Sequence, residues 1–216
     1  MALTLYYHPL SSFCHKVLIA LYENATPFTP QSVDLGDEGE RAAFYKIWPV
    51  GKFPVLRDDA RDTFVPESTP IIEYLQMYYP GPSRLIPDDA EQARRVRLMD
   101  RNADVNLHIH MQKVITDRIR PQGQRDPYGV ADARKKVDAM LGLFEQEIAG
   151  RTWLAGDQFT LADCAAAPPL FYCDLAVEPL AGRYPKLAAY LGRLKQRPSY
   201  ARALKEAEPF MDWVPR

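Results

Sequence analysis

Residues 3–17 read LTLYYHPLSSFCHKV, a strand-like run followed by a turn and the start of a helix. Leu3 to Tyr7 is rich in residues that favour strands, and His8-Pro9 stops it. From Ser12 the apolar residues take helical spacing. Those that share a helical face are Phe13, Val17, Ala20 and Leu21. This stretch therefore predicts a β-strand, a turn and an α-helix.

The next segments extend this unit along the chain. Residues 28–33 predict a second strand and residues 38–47 a second helix, which implies parallel pairing of the first two strands. Two short apolar runs, 53–56 and 63–65, are separated by polar residues and predict a β-hairpin. Ser68 is the candidate N-cap of a further helix. The order of elements is thus β-α-β-α-β-β-α.

The chain is predicted to divide into two domains. Residues 1–80 form the α/β unit, and proline and glycine mark a linker over residues 81–88. Residues 89–216 are helical in character almost to the end, so the second domain is all-α. The predicted helices of this domain cover about 88–118, 131–148, a stretch from 161, 187–194 and 200–207.

Composition excludes several classes of partner. The 216 residues are 47% hydrophobic and carry 27 basic and 28 acidic side chains, so no net field draws the protein to nucleic acid or to an anionic membrane. No apolar run approaches the ~20 residues that span a bilayer, and the N-terminus lacks the features of a signal peptide. Three cysteines cannot all pair with one another, which favours a reducing compartment. We expect a cytoplasmic protein.

Motifs for metal, nucleotide and serine-hydrolase chemistry are absent from the sequence. His108 and His110 are two positions apart and face apart on a helix, there is no H-E-x-x-H, and the cysteines lack zinc spacing. Neither a phosphate-binding loop nor a G-x-S-x-G elbow occurs. No metal site is predicted.

Three local motifs in this order resemble those of the cytosolic glutathione transferase family. Ser11 to Val17 is similar to the serine-type active-site turn of theta, zeta and tau members, 49–56 to the loop into a cis-proline and strand, and Glu67-Ser68 to an acidic-serine pair. The resemblance covers nearly the whole chain. It implies a thioredoxin-like N-terminal domain, glutathione as co-substrate, an electrophilic small molecule as second substrate, and a homodimer.

Ser11 is the residue that the resemblance places at the glutathione thiol. A thiol with a pKa of ~8.5 is only a few per cent ionised at pH 7, and majority ionisation needs about 2.7 kcal/mol. A hydroxyl hydrogen bond to charged sulfur supplies ~1.5 to 3 kcal/mol, and a helix N-terminus adds about 0.3 to 1. Ser11 is accordingly the predicted catalytic residue. Ser12 and Tyr7 are alternative donors to the thiol. Alternatively, Ser11 is an ordinary N-cap serine with a purely structural role.

Cys14 stands three positions after Ser11, so the turn looks like a C-x-x-C site whose first cysteine has become serine. Because the leading cysteine is normally the attacking one, its absence argues against a dithiol redox cycle. Cys14 itself is either a core residue or a reactive thiol.

The glutathione peptide is expected to bind beside this turn. The resemblance predicts a cis Phe53-Pro54 peptide, with the backbone of Val55 pairing to the cysteinyl part as an added strand does. Glu67 and Ser68 suit the γ-glutamyl ammonium and carboxylate. The resemblance places Lys52 at the glycyl carboxylate. The predicted glutathione-binding residues are Ser11, Lys52, Phe53, Pro54, Val55, Glu67 and Ser68.

The electrophile is expected between the two domains. The first long helix of the second domain presents a face whose spacing suits either a pocket or a core. Phe210 and Trp213 either cover the pocket or dock as a tail. The predicted substrate-site residues are Phe13, His108, Met111, Gln112 and Ile115.

The leading functional prediction is a glutathione transferase that conjugates the thiolate to an electrophilic, hydrophobic small molecule. Two alternatives share the fold. One is a glutathione-dependent thiol transferase or isomerase, although Phe13 stands where the zeta-type isomerases have cysteine. The other is a non-catalytic glutathione-binding interaction module, because fold alone does not establish activity.

Overall fold

The structure, a computed structural model, describes residues 2–215. Its four strands form one sheet in the order β2-β1-β3-β4. β1 pairs parallel with β2 and antiparallel with β3, and β3 and β4 form the predicted hairpin. The strands are β1 Leu3–Tyr7, β2 Thr29–Ser32, β3 Val55–Asp58 and β4 Thr63–Pro66. The predicted parallel pairing is confirmed, while β3 begins two residues later than predicted because Pro54 has no N–H for the ladder.

Three helices complete the thioredoxin-like domain: α1 Ser12–Glu23, α2 Glu38–Ile47 and α3 Ser68–Tyr78. α1 packs against α3 of its own domain and against helices of the second domain, so it is buried on almost every side rather than on one face. Phe13 is the exception to the predicted apolar face, because it is partly exposed at the start of α1.

The N-cap of α3 corrects a prediction. Glu67, not Ser68, occupies the capping position, with φ 71° and ψ 132°, and Ser68 is already helical. A backbone with φ in this region is uncommon for a residue other than glycine, so no local pattern indicated that Glu67 is the cap.

The second domain is all-helical, as predicted. Its α-helices are α4 Ala90–Arg101, α5 Ile109–Thr116, α6 Pro127–Glu147, α7 Leu161–Ala176, α8 Leu180–Arg183, α9 Pro185–Gln196 and α10 Pro198–Ala207. A π-helical segment, Asn102–His108, joins α4 to α5, so the predicted long helix is continuous but changes its winding. α6 begins four residues earlier than predicted, since the Asp126 carboxylate accepts from the Gly129 N–H at 2.8 Å.

One hydrophobic core extends through both domains. α7 lies at its centre, almost wholly buried, and packs against α1 and α4. Because α1 and α7 are both enclosed, the turn before α1 is held between the sheet domain and the helical domain. None of the helices in residues 2–215 is long and apolar enough to cross a membrane.

Candidate active site

Ser11 is the N-cap of α1, which confirms the capping prediction. Its backbone is extended, with φ −74° and ψ 122°, and its Oγ accepts the Cys14 N–H at 3.4 Å. That contact uses a lone pair of the hydroxyl and leaves its hydrogen free to donate. Within the described residues, the sulfur of Cys14 is the protein group near enough to receive that hydrogen, and a protonated thiol is only a weak acceptor. The residue therefore combines a helix N-terminus with an available donor.

Buried side chains hold the turn before Ser11 in place. His15 Nε2 donates to the Pro9 carbonyl at 2.5 Å, and the Tyr172 hydroxyl, on α7, donates to the Leu10 carbonyl at 2.8 Å. Burial lowers the pKa of His15 to about 4, so its ring is neutral and its donating nitrogen carries the one ring proton. The turn is thus fixed from within its own helix and from the helical domain.

Cys14 lies in the core directly behind this turn. It is fully buried, and burial raises the pKa of its thiol to about 12 in spite of the Ser11 hydrogen bond. A thiol of this kind is protonated at neutral pH and is a poor nucleophile. The geometry matches the core interpretation of Cys14.

A cavity of about 250 Å³ lies between the hairpin, α3 and α4. It brings together most of the residues predicted to bind glutathione: Lys52, Phe53, Pro54, Glu67 and Ser68. The Phe53-Pro54 peptide is cis, as predicted. Val55 is buried in β3 and does not line this cavity, whereas Arg101, Asp104 and Val105, which were not predicted to bind glutathione, do. We call this cavity the peptide cleft.

Glu67 is the residue of the cleft with the least ordinary backbone. Its φ of 71° lies in the left-handed region, which disfavours side chains beyond glycine, asparagine and aspartate. Backbone of this kind persists where the surroundings hold it, and it concentrates at ligand sites. Glu67 thus places an acidic side chain on the wall of the cleft through a backbone that its surroundings must hold.

A second, larger cavity of about 510 Å³ opens beside Ser11, and we call it the apolar cavity. It is lined by all five residues predicted for the substrate site: Phe13, His108, Met111, Gln112 and Ile115. Ser11, Ser12 and Tyr172 also line it, and Trp213 and Val214 close one side. No aspartate, glutamate, lysine or arginine lines it within residues 2–215. Phe13, Phe53 and Gln112 border both this cavity and the peptide cleft.

The C-terminal segment forms part of the wall of the apolar cavity. Trp213 is the last residue of a 3-10 turn and is 64% exposed. Its ring lies 6.4 Å from that of His8. The rings of Phe53 and Phe210 lie 5.9 and 5.8 Å from His8. Three aromatic rings therefore lie close to His8 at one side of the apolar cavity.

His108 is a deeply buried polar residue of the lining. Its ring centroid is 4.2 Å from that of Phe13, and only 5% of the residue is exposed. Burial, with a smaller effect of the Lys16 charge, lowers the pKa of His108 to about 4, so the ring is neutral. Its Nδ1 is buried and has no hydrogen-bond partner within the described residues.

A buried ionic cluster joins α1 to the helical domain, and its Asp104 also lines the peptide cleft. Lys16 is 1% exposed, and its Nζ lies 2.5 Å from Asp100 and 2.6 Å from Asp104. Its ammonium also donates to the Thr69 hydroxyl at 2.7 Å. Burial raises the pKa of Asp104 to about 6. Nothing in the sequence signalled this cluster, because its members are far apart along the chain.

Comparison with known proteins identifies the family. The family models "Glutathione S-transferase, N-terminal domain" and "Glutathione S-transferase, C-terminal domain" match residues 5–83 and 125–193. Glutathione S-transferase GstB of Escherichia coli is 31% identical over 205 residues, which are 91% of this chain and 95% of that protein. The chain belongs to the glutathione S-transferase family. The predicted family and fold class are confirmed.

Two further relatives of this glutathione S-transferase chain inform its chemistry. A probable maleylacetoacetate isomerase of Vibrio cholerae is 27% identical over 225 residues, covering 97% of this chain and 98% of that protein. The crystal structure of a glutathione S-transferase from Methylobacillus flagellatus with glutathione bound superposes with a TM-score of 0.85 at 27% identity, covering 93% of this chain and 98% of that one. Relatives thus include one that binds glutathione and one named as an isomerase.

Proposed function

We propose that the protein is a glutathione transferase that adds the glutathione thiolate to uncharged, apolar electrophiles. One observation carries the proposal: the peptide cleft and the apolar cavity meet at Phe13, Phe53 and Gln112, next to the Ser11 hydroxyl. A peptide held in the first and an electrophile held in the second come together where a hydroxyl donor stands at a helix N-terminus.

The Ser11 hydroxyl is the proposed donor to the glutathione sulfur. Accepting the Cys14 N–H orients the hydroxyl while its hydrogen stays free. A hydrogen bond from the Ser11 hydroxyl to the sulfur, together with the N-terminus of α1, supplies about the 2.7 kcal/mol that majority ionisation of the thiol requires. Tyr7 lines neither cavity, and burial and the nearby Glu206 raise its pKa, so it is a weaker candidate. Ser12 lines the apolar cavity and remains the rival.

The remaining groups of the peptide cleft are proposed to hold the rest of glutathione. Lys52 meets the glycyl carboxylate, and Glu67 meets the γ-glutamyl ammonium, with the N–H groups at the start of α3 facing its carboxylate. The strained backbone of Glu67 supports this assignment.

A homodimer in a reducing, cytoplasmic setting is the proposed state of the protein. The three free cysteines are all buried. Large apolar side chains are exposed on neighbouring elements of the thioredoxin-like and helical domains, which favours a protein partner. These side chains are Phe64 on β4, Met77 and Tyr78 on α3, and Leu98 on α4. Sedimentation at micromolar concentration tests the dimer.

One observation argues against each of the two enzymatic alternatives. Thiol transfer through Cys14 requires a thiolate that burial opposes. Isomerisation is suggested by the Vibrio cholerae relative, which is named as a probable maleylacetoacetate isomerase. A substrate that carries carboxylates would favour cations in its site, and the apolar cavity has none among residues 2–215. A conjugation assay distinguishes the transferase from the non-catalytic binding module.

Conjugation of chlorodinitrobenzene tests the proposal, with disulfide reduction measured in parallel. We expect the wild type to conjugate, Ser11→Ala to lose roughly 10- to 100-fold in kcat/KM at neutral pH, and Cys14→Ala to keep its activity. Glutathione Kd should change little in either variant. Glutathione binding without turnover on a broad panel of electrophiles would establish the binding module instead. Disulfide reduction that is lost in Cys14→Ala would establish thiol transfer.

A further inference from the structure

His8 holds both N–H groups of the turn that presents Ser11. Its ring nitrogen Nδ1 accepts the Leu10 N–H at 3.2 Å, and its backbone carbonyl accepts the Ser11 N–H at 3.0 Å. Pro9, between them, has no N–H of its own. The carbonyls of Pro9 and Leu10 accept from buried side chains of the helices, so every polar backbone group between His8 and the Ser11 N–H has a partner.

The contact between the His8 ring and Leu10 spans two residues, the spacing at which asparagine and aspartate side chains close short turns. A histidine can make this contact only with a lone pair on Nδ1, which a neutral ring offers when its hydrogen is on Nε2. Burial lowers the pKa of His8 below its ordinary value of 6.5, while the charge of Asp34 opposes this effect. The ring is therefore mainly neutral at pH 7, which is the state that the contact requires.

Aromatic side chains from two other segments orient the His8 ring. It stacks on Phe53 with 5.9 Å between the ring centroids and 19° between the planes, and Phe210 lies edge-on at 5.8 Å. Phe53 precedes the cis-proline and borders both the peptide cleft and the apolar cavity. The same ring thus contacts the turn that presents Ser11 and the loop of the proposed glutathione site.

We propose that His8 is a positioning residue for the glutathione thiolate: by accepting the Leu10 N–H, it holds the Ser11 hydroxyl where that hydroxyl donates to the sulfur. The inference rests on the proposed transferase function and adds a residue to the machinery of that function. A donor stabilises a charge most effectively when it is oriented before the charge arrives. In this role His8 exchanges no proton with glutathione and acts only through the turn.

Loss of the His8 acceptor should displace Ser11. The peptide unit between Pro9 and Leu10 would then be held only through its carbonyl, and its N–H would be free to turn towards another acceptor. Hydrogen bonds weaken steeply as their distance and angle depart from the preferred values. Part of the thiolate stabilisation should therefore be lost, while the residues that line the peptide cleft stay in place and keep the affinity for glutathione.

The experiment separates the acceptor of His8 from its aromatic ring. His8→Phe keeps a ring that can stack on Phe53 and has no acceptor, whereas His8→Asn keeps an acceptor at the same spacing and has no ring. His110→Phe is the control, since it makes the same substitution on α5, outside both cavities. The thiol pKa of bound glutathione is titrated by thiolate absorbance, and chlorodinitrobenzene conjugation, glutathione Kd and the urea midpoint are measured in parallel.

We expect His8→Phe to raise the thiol pKa of bound glutathione by roughly half a unit to one unit and to lower kcat/KM roughly two- to fivefold at pH 6.5. Its glutathione Kd should stay within about threefold of the wild-type value. His8→Asn should recover most of the difference in thiol pKa, and His110→Phe should match the wild type. A role confined to folding would instead lower the urea midpoint of His8→Phe and leave the thiol pKa unchanged.

Each other result overturns a defined part of the account. An unchanged thiol pKa in His8→Phe, or in His8→Leu should His8→Phe not fold, would mean that His8 does not position Ser11. If His8→Asn raises the thiol pKa as much as His8→Phe does, the acceptor is not the feature that matters, and the proposed contact is wrong. If the wild type neither lowers the thiol pKa of glutathione nor conjugates, the proposed function itself fails.

Discussion

The turn that presents Ser11 and the apolar cavity beside it are built in opposite ways. In the turn, the carbonyls of Pro9 and Leu10 are held by buried side chains, and Ser11 is fixed by its cap. In the cavity, the lining is mostly apolar, and Nδ1 of the buried His108 lacks a partner within residues 2–215. On the proposed function, the turn that positions the thiol gains from rigidity, whereas the cavity that accepts the electrophile depends mainly on its shape and its apolar surface.

The two regions are joined through α1. Its first turn carries Ser11, and Lys16 one turn later binds carboxylates of the helical domain. On the proposed function, the relative placement of thiol and electrophile therefore depends on this buried cluster. Substitutions in each region should have distinct effects.

Removing the charge that joins the two regions should have the largest effect. Lys16→Met leaves Asp100 and Asp104 buried without a cation, and loss of one partner of a buried ion pair destabilises by roughly 3 to 5 kcal/mol. Urea unfolding measures this. The control is Lys136→Met, which removes an exposed pair with Asp132 and should change the free energy of unfolding by less than about 1 kcal/mol. Equal small effects would mean that the cluster does not join the regions.

Acid should weaken both regions through one buried histidine in each. Burial lowers the pKa of His15, behind the turn, and of His108, in the cavity, from 6.5 to about 4. Both are neutral when folded but protonate at pH 6.5 when unfolded, so the stability they contribute is present above pH 6.5 and is lost as the pH falls to about 4. The full loss is about 3 kcal/mol for each.

Asp104 acts in the opposite direction over part of the same range. Its raised folded pKa, about 6, means that its contribution is largest at low pH and declines as the pH rises through 6. Urea midpoints between pH 7 and 4 should still decrease on balance, and His108→Phe should make that decrease shallower. A decrease as steep as in the wild type would place a charged His108 in the folded protein.

A smaller effect should distinguish a hydrogen bond that holds the turn from a comparable hydrogen bond elsewhere in the core. Tyr172→Phe removes the hydrogen bond to the Leu10 carbonyl and should lower stability by about 1 kcal/mol and raise the thiol pKa of bound glutathione. Tyr200→Phe removes a comparable bond to the Ala167 carbonyl, remote from the turn. It should lower stability similarly and leave the thiol pKa unchanged. A matching change of thiol pKa in both variants would show that Tyr172 does not position the turn.

The features that could be predicted from the sequence are those that depend on residues close together along the chain. Strand and helix periodicity, the cap at Ser11 and the loop into Pro54 depend on neighbours along the chain, and the structure confirms them. The cap of α3 was wrong by one residue because the positive φ of Glu67 has no local signal.

The long-range features could not be predicted. Lys16 meets Asp104 across 88 residues, and Tyr172 meets Leu10 across 162. The π-helical segment, Asn102–His108, changes which residues share a face, so helical spacing alone could not tell lining from core. The cavity residues that were predicted do line it, but the spacing did not reveal that Arg101 would line the peptide cleft.

The central claim is that the Ser11 hydroxyl stabilises the glutathione thiolate. It is tested most directly by titrating the ultraviolet absorbance of the thiolate in the complexes of the wild type, Ser11→Ala and Ser12→Ala with glutathione. We predict a thiol pKa about two units below the ~8.5 of a free thiol in the wild type and in Ser12→Ala, and a rise of roughly one to two units in Ser11→Ala. An unchanged pKa in Ser11→Ala, or a rise confined to Ser12→Ala, would contradict the account.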